Sequence, residues 1–260
     1  VIMHIKPDPA TVLQQNRSPT RLIEYILVAL VCAGLFLTLL SAFHGFPGYD
    51  SYFHIKFSDI LAQKGFIRDL PWLEHTIHRE NYRDHHLLWH YLLIPFTYGD
   101  LITGGRIAVV VFGAVAGVAV YALLATARVP FAPVWAMTAL LSSSPFLYRM
   151  SMLRVQAVSL AFLCFIFICC MQKRYKSLFI AAVLFVWLYD AFVLVFAIAI
   201  FFTISEFLIK GRIDYRLLGF AVLGILAGMV VNPYFPDNFA SLAYNASRSL
   251  FLDAPGITIG

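Results

Sequence analysis

Apolar residues run through this chain in long unbroken blocks, at about 21–43, 103–127, 130–147, 152–171, 177–209 and 216–232. A helix needs about 20 consecutive apolar residues to cross a bilayer. Only helices and closed barrels satisfy their backbone groups in lipid, and these runs are too continuous for barrel strands. The pattern therefore predicts an all-α polytopic membrane protein. One region interrupts it. Between the first two blocks lies a polar island, residues 44–102, opening Pro47-Gly48-Tyr49-Asp50-Ser51-Tyr52-Phe53-His54 and carrying His75, His78, Asp84, His85, His86 and His90.

Composition agrees with the pattern. The chain is 61% hydrophobic and 13% charged, with a mean hydropathy of +0.80, against about 25% charged residues in soluble domains. The net charge of +5 does not point to nucleic acid. Outside the island the basic residues form short clusters between apolar runs, as the positive-inside rule expects. Cys32, Cys164, Cys169 and Cys170 all fall inside apolar runs, with no disulfide or zinc spacing.

The charge clusters also divide the chain. Residues 1–20, with Lys6 and Arg17, read as a cytoplasmic N-terminal segment, and 21–43 as a retained first span. The stretch 177–209 is about 33 residues long, with Lys173, Arg174 and Lys176 before it and Lys210, Arg212 and Arg216 after it. It is either one steeply tilted helix or two short crossings turning near Trp187-Leu188-Tyr189-Asp190. Two crossings give about seven transmembrane helices over 21–233 and put every basic cluster on one side. The island, the Ser142–Leu153 turn, Asp190 and the tail 234–260 then share the extracytoplasmic face.

Within the island, residues 51–64 predict an amphipathic interfacial helix with Phe53, Phe57, Ile60 and Leu61 on one face. Asp50 suits its N-cap and Gly65 its end. A second helix is expected from Asp84 to Leu93, with Asp84 as its N-cap or as a second acid near Asp50. His86 and His90 stand four apart, a spacing that can hold a metal, but no third ligand is evident and interfacial packing or hydrogen bonding to a headgroup suits them better. Trp89, Trp187 and Tyr189 read as membrane-belt aromatics.

The segment Gly48–His54, followed by Lys56, resembles the first acidic motif of the GT-C superfamily of membrane glycosyltransferases. It is most similar to the N-terminal transmembrane module of oligosaccharyltransferase catalytic subunits. Gly65, Pro71-Trp72 and the His/Trp-rich segment from His85 to Pro95 extend the likeness. The resemblance implies transfer of a sugar from a polyprenyl-phosphate or diphosphate donor at the extracytoplasmic face of a prokaryotic inner or plasma membrane. Asp50 would be the catalytic base or a ligand to Mg²⁺ or Mn²⁺. Membrane lipids, further subunits or a C-terminal domain beyond this chain would be its partners.

One departure matters. Ser144-Pro145-Phe146-Leu147-Tyr148-Arg149 matches the lead-in to the superfamily's second acidic motif, but Met152-Leu153-Arg154-Val155-Gln156 follows where the acids would stand. Arg149 and Arg154 suit a donor phosphate, because guanidinium pairs with phosphate oxygens, or else they reach to lipid headgroups. Asp50, His54, Asp84, His85, His86, Arg149, Arg154 and Gln156 are thus the expected site residues. A non-catalytic scaffold or lipid-binding subunit is the alternative. Asp190 reads as a turn residue and Asn245-Ala246-Ser247 as a short glycosylation pattern.

Overall fold

Long apolar blocks form helices here, and what breaks them is local and identifiable. The computed structural model describes residues 19–71, 74, 75, 79 and 82–239. Among these residues it is entirely helical, with no strand. The helices are α1 (Pro19–Ser41), α2 (Asp50–Lys64), α3 (Leu87–Leu93), α4 (Leu101–Thr126), α5 (Ala132–Leu141), α6 (Ser144–Met150), α7 (Gln156–Met171), α8 (Tyr175–Leu188), α9 (Val193–Lys210) and α10 (Tyr215–Val230). The N-terminal segment 1–18, Trp72, His78 and the Asn245-Ala246-Ser247 pattern lie outside the described residues.

Three helices are long and apolar enough to cross a membrane: α1, α4, and Asp190–Lys210, which joins a 3-10 turn to α9. Leu22, Leu30 and Leu37 on α1 and Leu208 and Ile209 on α9 stand exposed, a surface suited to lipid. The block 130–147 is not one continuous helix. It divides at Ser142-Ser143, where Ser143 is extended (φ −148°, ψ 123°), and Pro145 opens α6. A proline inside a continuous helix would remove a hydrogen bond and clash with the preceding turn, whereas in a first turn it does neither. The ten residues of α5 cover about 15 Å. The stretch 177–209 is two helices rather than one, broken at Tyr189 (φ −156°, ψ 140°), beside Asp190.

The core lies where α4, α7, α8 and α10 meet, around Ala108, Ile166, Ala182, Phe185 and Ala221. Small residues permit that approach. A Cβ on Gly224 would meet the Phe179 carbonyl oxygen at 2.7 Å, and one on Gly228 the Val183 carbonyl oxygen at 2.9 Å. These two glycines, four residues apart, let α10 lie against α8 in the small-residue mode of membrane helices. Trp187 Nε1 then donates to the Gly228 carbonyl at 2.8 Å. All four cysteines are buried and free.

Two polar ends bracket this core. At one, Lys173 bridges Glu206 and Asp214, each at 2.9 Å, and the Tyr175 hydroxyl donates to Asp214 at 2.7 Å. At the other, Arg106 in the first turns of α4 donates to the carbonyls of Leu40 (2.8 Å), Phe43 (2.6 Å) and Gly45 (3.0 Å). A helix C-terminus leaves its last carbonyls without intrahelical donors. Arg106 takes up the Leu40 carbonyl in the last turn of α1 and two carbonyls just beyond the helix, and so fixes where the polar island begins.

Replacing Gly224 or Gly228 with leucine is expected to force α10 off α8 and lower the melting temperature in detergent, by about 1–3 kcal/mol of stability. Trp187 fluorescence should shift as its indole loses the Gly228 carbonyl. An unchanged melting curve and spectrum would contradict the close approach.

Candidate functional site

The polar island folds back over the end of the helical core. Helix α2 starts at Asp50 itself and stops at Gly65, whose φ of 75° favours glycine. Tyr49, not Asp50, stands at the N-cap, and no side chain caps the first turn. The N-cap expected of Asp50 is therefore corrected. Its carboxylate is drawn instead to Arg154, at 2.5 Å. The buried face of α2 is also not the expected one. Phe57 and Leu61 are buried, but Phe53 is exposed, and Ser51, His54 and Ser58 point inward. Those hydroxyls are used: Ser58 donates to the His54 carbonyl, and Ser51 donates to the Pro47 carbonyl while accepting from Leu153 N–H at 3.1 Å.

That Ser51–Leu153 bond and the Asp50–Arg154 pair dock the α6–α7 connection onto the start of α2. Gly48 completes the joint. Its φ is 85°, and a Cβ there would meet Met152 Cε at 2.9 Å. Arg154 is about one-third exposed and Asp50 more than half, so the pair itself contributes at most about 1 kcal/mol. Its importance is chemical, as an accessible carboxylate and guanidinium held together at the mouth of the island.

Behind this mouth runs a buried chain of polar groups. Asp84 Oδ2 lies 2.6 Å from His90 Nδ1, and His90 Nε2 lies 2.8 Å from His54 Nδ1. Asp84, His90 and His54 are respectively 4%, 1% and 6% exposed. Asp84 Oδ1 also accepts the His86 N–H at 2.9 Å. Asp84 does not cap a helix, because α3 starts three residues later at Leu87 with His86 at its uncapped N-cap. Burial pushes the Asp84 carboxyl up, but the imidazole of His90 and the His86 N–H outweigh it and hold the acid below its ordinary range. Burial, reinforced by His90, Arg154 and His85, pushes His54 down to about 3. Burial and the neighbouring imidazoles likewise push His86 down to about 3, against the opposing charge of Asp84.

The other expected residues gather unevenly. His86 lies beside His54, Tyr189 and His85, with ring centroids 5.8, 5.4 and 4.3 Å apart. His85 is exposed, and Arg149 is exposed with no acid beside it among the described residues. Gln156 opens α7, its Oε1 buried without a hydrogen-bond partner. Trp89 is not a belt residue. It is 1% exposed and packs on Phe112, 5.2 Å away. The residue omitted from the expected site is His90, the middle of the buried chain. Its four-residue spacing from His86 suggested a shared face, but their rings stand 6.4 Å apart and His90 turns to His54 and Asp84.

The island also meets the chain after α10. The Tyr234 hydroxyl donates to the Ile67 carbonyl at 2.6 Å, and Arg68 donates to the Pro233 carbonyl at 3.2 Å. Four segments distant in sequence thus converge: the island, residues 151–156, Tyr189 and residues 233–234. No group of three His, Cys, Asp or Glu forms a metal cluster among the described residues. One carboxylate already paired with a guanidinium is a poor donor set for Mg²⁺ or Mn²⁺, which take several oxygens. The groups present are a carboxylate and two imidazoles in hydrogen-bonded series and an accessible guanidinium paired with a second carboxylate. No protein-family model, no characterised protein and no solved structure matches this chain.

The buried histidines set a pH dependence of stability. His54 and His86 titrate near 3 in the folded chain and near 6.5 when unfolded. As pH falls below about 6.5 the unfolded chain binds protons that the folded chain refuses, so stability present above that value is lost toward pH 3. The melting temperature in detergent should fall steadily from pH 7.5 to pH 4.5, and His86→Gln should flatten that slope. A melting temperature that rises on acidification would contradict the burial.

Proposed function

We propose that this protein is a membrane glycosyltransferase of the GT-C type, moving a sugar from a polyprenyl-phosphate or diphosphate donor to an acceptor at the extracytoplasmic face. In this reading the chain crosses the membrane seven times, with the shorter helices crossing where the bilayer and their neighbours allow. The contacts joining the island to residues 151–156, Tyr189 and Tyr234 support a common polar face. The Lys173–Glu206–Asp214 cluster belongs to the other side.

The observation that carries the reading is the Asp50–Arg154 pair, an accessible acid and base at the start of the first post-span helix. A donor phosphate competes for the Arg154 guanidinium, which pairs with phosphate oxygens in the same bidentate manner as with a carboxylate. Arg149, exposed one short turn earlier, adds a second cation. The freed Asp50 carboxylate then faces the anomeric carbon and the acceptor, where it opposes the positive charge that develops as the donor bond breaks. The anomeric C–O bond to phosphate breaks, the polyprenyl phosphate leaves with the electron pair, and the acceptor forms the new bond and releases a proton. If Mg²⁺ or Mn²⁺ takes part, Asp50 is the protein ligand it would use.

A second reading has one observation in its favour. Asp50 is already neutralised by Arg154, and Met152–Gln156 carries no acid, as suits a subunit that binds lipid phosphate without turning it over.

Reconstituted in liposomes with a polyprenyl-phosphate hexose, the wild type should release polyprenyl phosphate. Asp50→Asn should lower turnover by about 10²–10³-fold, the usual effect of removing one electrostatic group aimed at a transition state, while keeping donor binding. Full turnover in Asp50→Asn counts against Asp50. Saturable wild-type binding without turnover supports the lipid-binding subunit.

A further inference from the structure

The acceptor's proton needs a destination, and Asp50 is poorly suited to receive it. Its carboxylate is already engaged by the Arg154 guanidinium at 2.5 Å. One helical turn further along α2 stands His54, four residues on and therefore on the same side of the helix.

We infer that Asp84, His90 and His54 form a buried proton relay, and that His54 Nε2 takes the proton from the acceptor. This rests on the glycosyl-transfer reading for its substrate but not for its geometry. His90 Nδ1–H donates to the Asp84 carboxylate at 2.6 Å, which leaves Nε2 of neutral His90 as an acceptor. His54 Nδ1–H then donates to it at 2.8 Å, and the His54 Nε2 lone pair remains, with no hydrogen bond to any described residue. A carboxylate that fixes one imidazole, which in turn fixes the tautomer of the next, gives the outer imidazole the orientation a general base requires.

The proton balance is simple. The acceptor proton moves to His54 Nε2. The His54 Nδ1 proton passes to His90 Nε2. The positive charge then rests on His90, against the ionised carboxylate of Asp84. His54 becomes neutral again, now protonated at Nε2, so the charge is stored at the one buried position that has a counter-ion. Return of the proton to solvent by the reverse path resets the chain.

Two independent features favour a hydroxyl-bearing ligand beside His54. Trp89 Nε1 and His86 Nδ1 are buried without a hydrogen-bond partner among the described residues, and their rings lie 6.4 and 5.8 Å from that of His54. Trp89 is 1% exposed, so its indole N–H is unspent donor capacity deep in the site. The charged and titratable groups around the relay are Arg154 from the α6–α7 connection, Tyr82, His85 and His86 from the segment before α3, and Tyr234 from the chain after α10. Arg154 opposes a proton on His54 and so assists its onward transfer to His90.

The test has two arms on the full chain in nanodiscs. In the first, diethyl pyrocarbonate, which acylates only unprotonated imidazole nitrogen, is applied at pH 7 and the rate of modification is read by mass spectrometry. His54 should react in wild type through its free Nε2, and more slowly in Asp84→Asn, where no carboxylate fixes the tautomers of His90 and His54. Equal rates in the two proteins, or no reaction at His54, would overturn the relay whatever the enzyme's substrate. In the second arm, His54→Gln and His90→Gln should each lower turnover of a polyprenyl-phosphate hexose by about 10²–10⁴-fold, the range for a general base, with donor KM little changed and the low-pH limb of kcat lost. Full turnover in His54→Gln would overturn the relay and leave the glycosyl-transfer reading standing. A wild type that turns over no such donor would remove that reading, while the first arm still decides the relay. If a glutamine variant does not fold, the wild-type and Asp84→Asn labelling remains decisive.

Discussion

A carboxylate and two imidazoles buried in series constrain everything around them. Each polar group removed from water needs a partner, and leaving one unmade costs more than the bond gains when present. Asp84, His90 and His54 meet that demand only if the segment before α3, α3 itself and α2 hold fixed distances from one another. The chain of bonds at 2.6 and 2.8 Å therefore acts as a ruler for the island. Phe57, 4.6 Å from the His90 ring, and Tyr82, 5.2 Å from Phe57, close the apolar shell around it.

The apolar helices serve this arrangement from below. The close α8–α10 contact at Gly224 and Gly228 brings Tyr189, at the end of α8, up against His86. The Arg106 clasp on the Leu40 carbonyl and on those of Phe43 and Gly45 sets the level at which the chain leaves the first long helix. The docking of Leu153 on Ser51 brings Arg154 to Asp50. Each contact is modest alone, and together they turn a loop rich in ionisable groups into a site with an accessible mouth and a dry interior.

The sequence made the scaffold readable because apolar run length and charge clusters are local signals. The break near Tyr189 followed from lysines and arginines at both ends of one long run, and Gly65 ended α2 as its lack of a side chain permits. Where prediction failed, a distant partner decided the outcome. Asp50 reads as an N-cap when seen with its neighbours, but its carboxylate is claimed by Arg154 from beyond α6. Trp89 has a belt residue's composition but a core residue's burial, which periodicity over seven residues cannot distinguish. His90 escaped notice as a site residue because its role depends on His54, 36 residues earlier, and on an acid that looked equally good as a cap. The division of 130–147 was signalled by Ser-Ser-Ser-Pro, but run length alone argued for one span.

The spacing of the closing contacts along the chain has a consequence for biosynthesis. Ser51 waits 102 residues for Leu153, and Ile67 waits 167 for Tyr234. When the island leaves the ribosome, then, none of the segments that cover it has been made. Its histidines and acids remain hydrated while α4 to α8 are made, and they are enclosed only when the chain after α10 delivers Tyr234. The enclosure is completed only once α10 and Tyr234 have been made, so that a chain halted before α10 would carry the buried trio's residues without the contacts that enclose them.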